Sequence, residues 1–80
     1  MTKNNYLNME FPSLSENVGL SRVAIASFAS QLNFTVSEID EIKVAVSEAV
    51  TNAVIHAYGG RVGKVMIQAS LKDGKIEVIV

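Results

Sequence analysis

The 80-residue chain contains no cysteine and a single histidine. Without thiols it has no disulfide, no zinc–thiolate site and no cysteine nucleophile, and one imidazole leaves little for a transition-metal site. Basic and acidic residues nearly balance, seven against eight, which gives a formal net charge of −1. This balance lacks the positive field that binds a phosphate backbone, so we expect no direct nucleic-acid partner.

Long apolar runs and targeting sequences are also missing. No stretch approaches the roughly 18 apolar residues of a membrane span, and the opening MTKNNYLNMEF lacks the basic-then-apolar plan of a signal peptide. We therefore expect a cytoplasmic protein with no membrane partner. The hydrophobic share of 49% is ordinary for a globular chain, but a domain of this size buries only about 60% of its unfolded surface. The core is small unless a partner, a ligand or further chain adds to it.

The first third of the chain predicts a strand followed by a helix. In YLNMEF, apolar Leu7, Met9 and Phe11 alternate with polar residues, as in a half-buried strand, until a proline ends the pattern. Ser15 is a candidate N-cap, with Glu16 in the first helical turn. Apolar residues then recur with helical spacing at Val18, Ile25, Phe28, Ala29 and Leu32.

The second predicted helix has the clearest boundaries. Thr35 followed by Glu38 has the sequence of a capping box, and Phe34 and Ile39 occupy the positions of a hydrophobic staple. The glycine pair 59–60 predicts a left-handed exit from the helix. Between these boundaries runs one apolar stripe, formed by Ile39, Ile42, Val46, Ala49, Val50, Ala53 and Ala57.

Two alternating segments in the last third predict a β-hairpin. Asp73-Gly74 joins them and is a strong sequence indication of a tight turn. The fold class is therefore predicted to be α+β, in the order strand, helix, helix, strand, strand. Because the chain stops at Val80 within an apolar strand, we expect it to be the N-terminal portion of a longer protein. The alternating apolar residues are Val65, Ile67, Ala69 and Leu71, then Ile76, Val78 and Val80.

The second helix also carries four side chains of possible functional interest. With Glu48 at zero on a wheel of about 100° per residue, Asn52 lies at about +40°, Thr51 at about −60° and His56 at about +80°, away from the apolar stripe. One interpretation is a solvated helix face, on which Glu48 and Asn52 weakly support the helix. On this interpretation His56 complements the dipole at the helix C-terminus.

Apolar residues among these polar ones favour a ligand site instead. Val44, Ala45 and Ile55 fall at about −40°, +60° and −20° on the same wheel, where a solvated face would carry lysine and glutamate. A few polar groups within an apolar surround are typical of ligand sites. An amide oxygen can bind Mg²⁺, and a carboxylate one turn away can orient water or accept a proton, so the pair suits a magnesium–phosphate ligand.

The common phosphate and zinc motifs are absent from the 80 residues, which contain no P-loop, no G-x-G-x-x-G and no H-E-x-x-H. A metal-free and nucleotide-free interaction domain therefore stays open on motif evidence alone.

The stretch VSEAVTNAVIHAY resembles the N-box of the GHKL ATPase/kinase superfamily, in the form E-A-x-x-N-A-x-x-H-A-Y of the anti-sigma-factor serine kinases. The flanking sequences LSENVGLSRVAIASFASQL and EIDEIKVA extend the resemblance over nearly the whole chain, most closely to the kinases that regulate sporulation sigma factors. The family fold is a two-layer α/β sandwich with an antiparallel sheet, which is consistent with the predicted element order.

The resemblance implies roles for individual residues. Glu48 would be the catalytic base of phosphoryl transfer, Asn52 the Mg²⁺ ligand, and Thr51 a phosphate or water contact in the ATP site. Arg22 would be the helix-one arginine that binds the sigma factor and its antagonist. ATP and Mg²⁺ are the implied cofactors, and His56 receives no role from the resemblance.

The family also implies partners and a larger domain. It implies a homodimer that sequesters a sporulation sigma factor while ATP is bound, and that phosphorylates the anti-anti-sigma factor on a serine. The family's adenine-binding D-x-G-x-G box, its second glycine-rich box and its ATP lid do not occur in these 80 residues. We therefore expect residues 1–80 to be the N-terminal part of a single GHKL domain, too incomplete to bind ATP tightly.

Two other functions stay open. The first is an anti-sigma kinase of the general-stress, sigma-B type, although SENVGLSR in helix one favours the sporulation form. The second is a non-catalytic sigma-binding or dimerisation fragment, in which Glu48 and Asn52 are inert.

Overall fold

The structure is a computed structural model that describes residues 4–56, 61–73 and 75–80. The predicted order of elements is confirmed. The elements are β1 (Asn5–Pro12), α1 (Glu16–Ala29), α2 (Val36–His56), β2 (Lys64–Lys72) and β3 (Lys75–Ile79).

The three strands form one antiparallel sheet in the order β1-β2-β3. In its register Phe11 lies opposite Val65, and Leu71 lies opposite Ile76, so the apolar members of each strand share one face. Both helices pack on that face, which gives a helix layer on a sheet layer. The predicted α+β class and two-layer sandwich are therefore confirmed.

The core lies between the two layers. Ile25 of α1 and Ile67 of β2 are completely buried, and burying one such side chain contributes about 1.5–3 kcal/mol. Both helices and strands β1 and β2 contribute to the buried cluster. Its members are Phe11, Ile25, Phe28, Val46, Val50, Val65, Ile67, Ala69 and Leu71.

Helix α1 begins where it was predicted, but Ser15 does not act as expected. Ser15 occupies the N-cap position with φ −59° and ψ −30°, which is helical rather than extended backbone, and its side chain makes no capping hydrogen bond. Its hydroxyl donates instead to Glu16 Oε1 at 3.1 Å. The predicted N-cap interaction is therefore wrong, because an N-cap side chain reaches the first-turn N–H groups from an extended backbone.

Helix α2 has the predicted start. Thr35 N donates to Glu38 Oε1 at 2.8 Å, and Glu38 N donates to Thr35 Oγ1 at 3.1 Å, so the capping box is complete. The helix continues through 21 residues, about 30 Å in length. The predicted exit at Gly59-Gly60, and Ala57 of the apolar stripe, lie outside the described residues.

The predicted hairpin joins β2 to β3. Lys72 pairs with Lys75, so the connection is the two-residue segment 73–74, of which Gly74 is outside the described residues. Asp73 has φ 53°, the positive value that a tight hairpin turn of type I′ requires at its first central residue. Val80, predicted on the apolar face of β3, instead lies just after the strand and is 46% exposed.

Helix α2 is the longest described helix, and it contains both apolar and charged residues. None of the helices in the described ranges combines the length and the apolarity needed to cross a membrane.

Candidate functional site

Three predicted site residues come together on α2. Glu48, Thr51 and Asn52 are spaced i, i+3 and i+4, which places their side chains on one side of a helix. With Ser47 they line an open depression of about 340 Å³. The helix spacing that predicted this cluster is sufficient to form it, because all of the described lining residues belong to α2.

The polar side chains of this depression are without partners in residues 4–56, 61–73 and 75–80. Glu48 and Asn52 are exposed and Thr51 is half-buried. None of the three side chains forms a hydrogen bond or an ion pair with any residue that the structure describes. A carboxylate, an amide and a hydroxyl are therefore all available to a ligand in one place.

Ser47 was not predicted as a site residue, and its chemistry is distinctive. Its hydroxyl oxygen is buried and has no hydrogen-bond partner within the described part of the chain. Leaving a buried hydroxyl unsatisfied costs about 1–3 kcal/mol. Ser47 directly precedes Glu48 in the motif, and a small polar residue beside the apolar stripe is the sequence feature by which it could have been found.

Apolar side chains surround the polar cluster, as the helical wheel predicted. Val44 is 57% exposed and Ile55 is 56% exposed, and Ala45 between them is also exposed. Exposed apolar residues next to convergent polar groups are typical of surfaces that a ligand or partner covers.

A second open depression, of about 610 Å³, adjoins the first. Arg22 of α1 lines it together with Asp40, Lys43 and Val44 of α2, and it also includes Ser47 and Glu48. Two residues therefore belong to both depressions, and Glu48 lies at their boundary. The packing of α1 against α2 creates this second depression.

Arg22 and Glu48 line the same depression without forming an ion pair, since no contact within 4.0 Å joins them. The Arg22 side chain makes no other hydrogen bond or ion pair to the described residues. Arg22, the fourth predicted site residue, is therefore adjacent to the cluster and separate from it.

His56 is the last residue of α2 and is exposed. Neither depression next to Glu48 includes it. Its neighbours in the motif, Ala57 and Tyr58, lie outside the described residues.

The donor set fits a magnesium–phosphate group better than a protein-held metal. No group of three or more histidine, cysteine, aspartate or glutamate side chains within the described ranges could hold a metal ion. Mg²⁺ commonly takes only one or two protein oxygens and completes its shell with phosphates and water. The Asn52 amide oxygen can be such a ligand, and Ser47 and Thr51 offer further hard oxygens beside it.

A family model supplies the decisive comparison. The model of the histidine kinase-like ATPase domain matches residues 11–80. The chain belongs to this family. The match includes all of α1, α2, β2 and β3, and with them both depressions.

This histidine kinase-like ATPase chain is similar to anti-sigma F factors. It is 46% identical to that of Caldanaerobacter subterraneus subsp. tengcongensis over 78 residues, 98% of this chain and 54% of the relative. It is 51% identical to that of Clostridium novyi over 77 residues, 95% of this chain and 54% of the relative. It is 48% identical to that of Shouchella clausii over 77 residues, 95% of this chain and 53% of the relative.

These comparisons confirm the resemblance inferred from the helix motifs, because the matching family is the histidine kinase-like ATPase domain and the relatives are named anti-sigma F factors. The histidine kinase-like ATPase chain spans about half the length of the curated relatives that it matches.

Proposed function

We propose that the chain is the N-terminal part of an ATPase domain in a cytoplasmic anti-sigma factor that is also a protein serine kinase. The protein sequesters a sporulation sigma factor and phosphorylates the anti-anti-sigma factor on a serine. The observation that carries the proposal is the cluster of Glu48, Thr51 and Asn52 side chains in one depression, none of which has a partner in the described part of the chain. Membership of the histidine kinase-like ATPase family makes a nucleotide the natural ligand of that cluster.

The relatives support a sigma factor as the partner. Those of Caldanaerobacter subterraneus subsp. tengcongensis and Clostridium novyi are both named anti-sigma F factors. Because the names specify sigma F, they support our proposed partner over the general-stress, sigma-B type alternative. The half of these relatives that the chain does not match is where we place the glycine-rich boxes and the ATP lid.

In the proposed nucleotide site each residue has one task. The Asn52 amide oxygen would hold Mg²⁺, which would neutralise phosphate charge, and the Thr51 hydroxyl would contact a phosphate oxygen or its water. The Glu48 carboxylate accepts the proton of the attacking serine hydroxyl. The exposed position of Glu48 at the boundary of two depressions suits a base that must reach an incoming protein substrate.

Arg22 is the proposed contact for the sigma factor and for the anti-anti-sigma factor. A guanidinium with no partner among the described residues can bind a carboxylate through two parallel hydrogen bonds. We also propose a homodimer, because a chain of this size leaves much apolar surface uncovered. Met66 and Ile79 on the outer face of the sheet, both more than half exposed, are examples of that surface.

Glu48→Gln tests the proposal in the intact gene product. We expect Mg-ATP and sigma-factor affinities to change little, because the amide has the same shape. Phosphorylation of the organism's anti-anti-sigma factor should fall by about 10²–10⁴-fold, because an amide cannot accept the proton. Radiolabelled phosphate transfer and isothermal titration calorimetry measure these quantities.

Glu41→Gln is the matched control. Glu41 is exposed on the same side of α2, two turns before Glu48, and lines neither depression. Phosphorylation at an unchanged rate in Glu48→Gln would remove Glu48 from the base role. Sigma-factor binding without any Mg-ATP binding by the unmodified protein would favour the non-catalytic sigma-binding module. Tighter binding to a general-stress sigma factor would favour the sigma-B type kinase.

A further inference from the structure

We propose that Lys43 and Val44 are specificity-determining residues that bind the segment of the protein substrate around its acceptor serine. This inference rests on the proposed kinase function and adds a docking site to it. The site is the second depression, which Arg22, Asp40, Lys43 and Val44 line and which Glu48 closes at one end.

The geometry separates a nucleotide side from a protein-substrate side. Glu48 lies one helical turn after Val44 and one turn before Asn52. The depression towards the C-terminus of α2 contains Thr51 and Asn52, and the depression towards its N-terminus contains Lys43 and Val44. Because phosphoryl transfer is in line, the acceptor must approach the phosphate from the side opposite the leaving group. With the nucleotide proposed over Thr51 and Asn52, the Lys43 and Val44 depression lies on the other side of Glu48, and we place the acceptor there.

The proposed phosphoryl transfer uses a serine hydroxyl, ATP and the Glu48 carboxylate. The serine oxygen forms a bond to the γ-phosphorus as the bond from that phosphorus to the bridging oxygen of ADP breaks. The Glu48 carboxylate takes the serine proton, and the products are phosphoserine and ADP.

The charges of the second depression indicate what the substrate segment carries. Arg22 has no partner among the described residues, and Lys43 contacts Asp40 only at 3.9 Å, with both side chains partly in water. Such an exposed pair is worth about 0–1 kcal/mol, so Lys43 can exchange its partner readily. Asp40 and Glu48 also line the depression, so its formal charges cancel, and Glu48 is reserved for the acceptor proton in the proposed reaction. The available groups are therefore Arg22 and the weakly held Lys43, which fit an acidic side chain, and Val44, which fits an apolar side chain on the same substrate segment.

Val44 provides the apolar half of this recognition. It is more than half exposed, and it lines the depression together with polar Asp40, Lys43 and Glu48. An apolar substrate side chain that covers Val44 removes the valine from water, which is favourable. A carboxylate at position 44 would instead repel the acidic substrate group that Arg22 and Lys43 attract.

The first measurement is binding, in the intact gene product. The probe is the organism's anti-anti-sigma factor with its acceptor serine, once mapped by mass spectrometry, replaced by alanine. We expect Val44→Asp and Lys43→Glu each to weaken binding of this probe by about tenfold or more in calorimetry, because each places a negative charge in the contact. The affinity for Mg-ATP should stay within about twofold of the unmodified protein, because neither residue lines the nucleotide depression.

Two control variants make the same residue changes at positions outside the second depression. Val36→Asp changes an even more exposed valine on α2, about 12 Å earlier along the helix. Lys72→Glu reverses a charge at the end of β2, beside the hairpin turn. Both controls should bind the probe as the unmodified protein does, and thermal unfolding midpoints should match within each pair.

Phosphorylation kinetics provide the second measurement. We expect Val44→Asp and Lys43→Glu to raise KM for the unmodified anti-anti-sigma factor with a much smaller effect on kcat. Unchanged probe binding and KM in both variants, while the unmodified protein phosphorylates its substrate, would overturn this inference and leave the proposed function standing. An equal loss of Mg-ATP affinity would also overturn it, since the residues would then support the nucleotide site. No phosphorylation by the unmodified protein would overturn both.

Discussion

The buried Ser47 hydroxyl leads to a prediction whose sign is opposite to that of most core substitutions. Its oxygen has no hydrogen-bond partner within the described residues. Ser47→Ala removes a penalty of about 1–3 kcal/mol and gains up to about 0.5 kcal/mol in helix propensity. We therefore expect the variant to raise the free energy of unfolding by about 1–3.5 kcal/mol in the absence of nucleotide.

Ser21→Ala is the matched control for this prediction. Ser21 is completely buried on α1, but its hydroxyl donates to the Val18 carbonyl oxygen at 2.8 Å. Losing that hydrogen bond costs about 0.5–1.5 kcal/mol, which the gain in helix propensity offsets only in part. We expect Ser21→Ala to be neutral or destabilising by up to about 1 kcal/mol.

Urea unfolding of the nucleotide-free protein measures both variants. With a slope of about 1–3 kcal/mol per molar, a gain of about 1.5 kcal/mol moves the midpoint upward by about 0.5–1.5 M. Because Ser47 also lines the proposed nucleotide depression, the same variant should bind Mg-ATP more weakly. A loss of stability in Ser47→Ala equal to that in Ser21→Ala would refute the reasoning, since the hydroxyl would then have a partner in solution.

Three further predictions concern the partner contact, the helix start and the extent of the domain. Arg22→Ala should weaken sigma-factor binding by about 2 kcal/mol or more while Mg-ATP affinity stays constant, as calorimetry can measure; equal loss of both would mean that Arg22 supports folding. Thr35→Ala should lower the free energy of unfolding by about 0.5–2 kcal/mol through loss of the capping box, whereas exposed Ser37→Ala should not; identical urea curves would contradict this. Residues 1–80 expressed alone should not bind Mg-ATP with micromolar affinity. Calorimetric binding in that range would contradict our proposal that the other nucleotide contacts lie outside these 80 residues.

Local patterns predicted α2 best, because the features that define its start lie within a few residues of one another. The capping box at Thr35 and Glu38 needs only four consecutive residues, and both of its hydrogen bonds are present. Strand alternation was equally informative, since a period of two must place Val65, Ile67 and Ala69 on one face.

The N-cap of α1 shows where a local pattern is insufficient. Ser15 has a favourable residue type and position, yet its helical backbone prevents the capping hydrogen bond. The chain there is held by contacts that no short pattern predicts. Ser13 N donates to the Gly63 carbonyl oxygen at 3.1 Å, and Gly63 N donates to Ser13 Oγ at 2.7 Å, which ties the end of β1 to the start of β2.

The sequence by itself determined the elements, their order and the cluster of Glu48, Thr51 and Asn52, because helical spacing alone places i, i+3 and i+4 side chains together. Only the tertiary structure decided that Arg22 shares a depression with Glu48 and that the Ser47 hydroxyl is buried without a partner in the described ranges. Both facts depend on how α1 packs against α2 over the sheet, and this packing joins residues far apart in the chain through contacts that no local periodicity encodes.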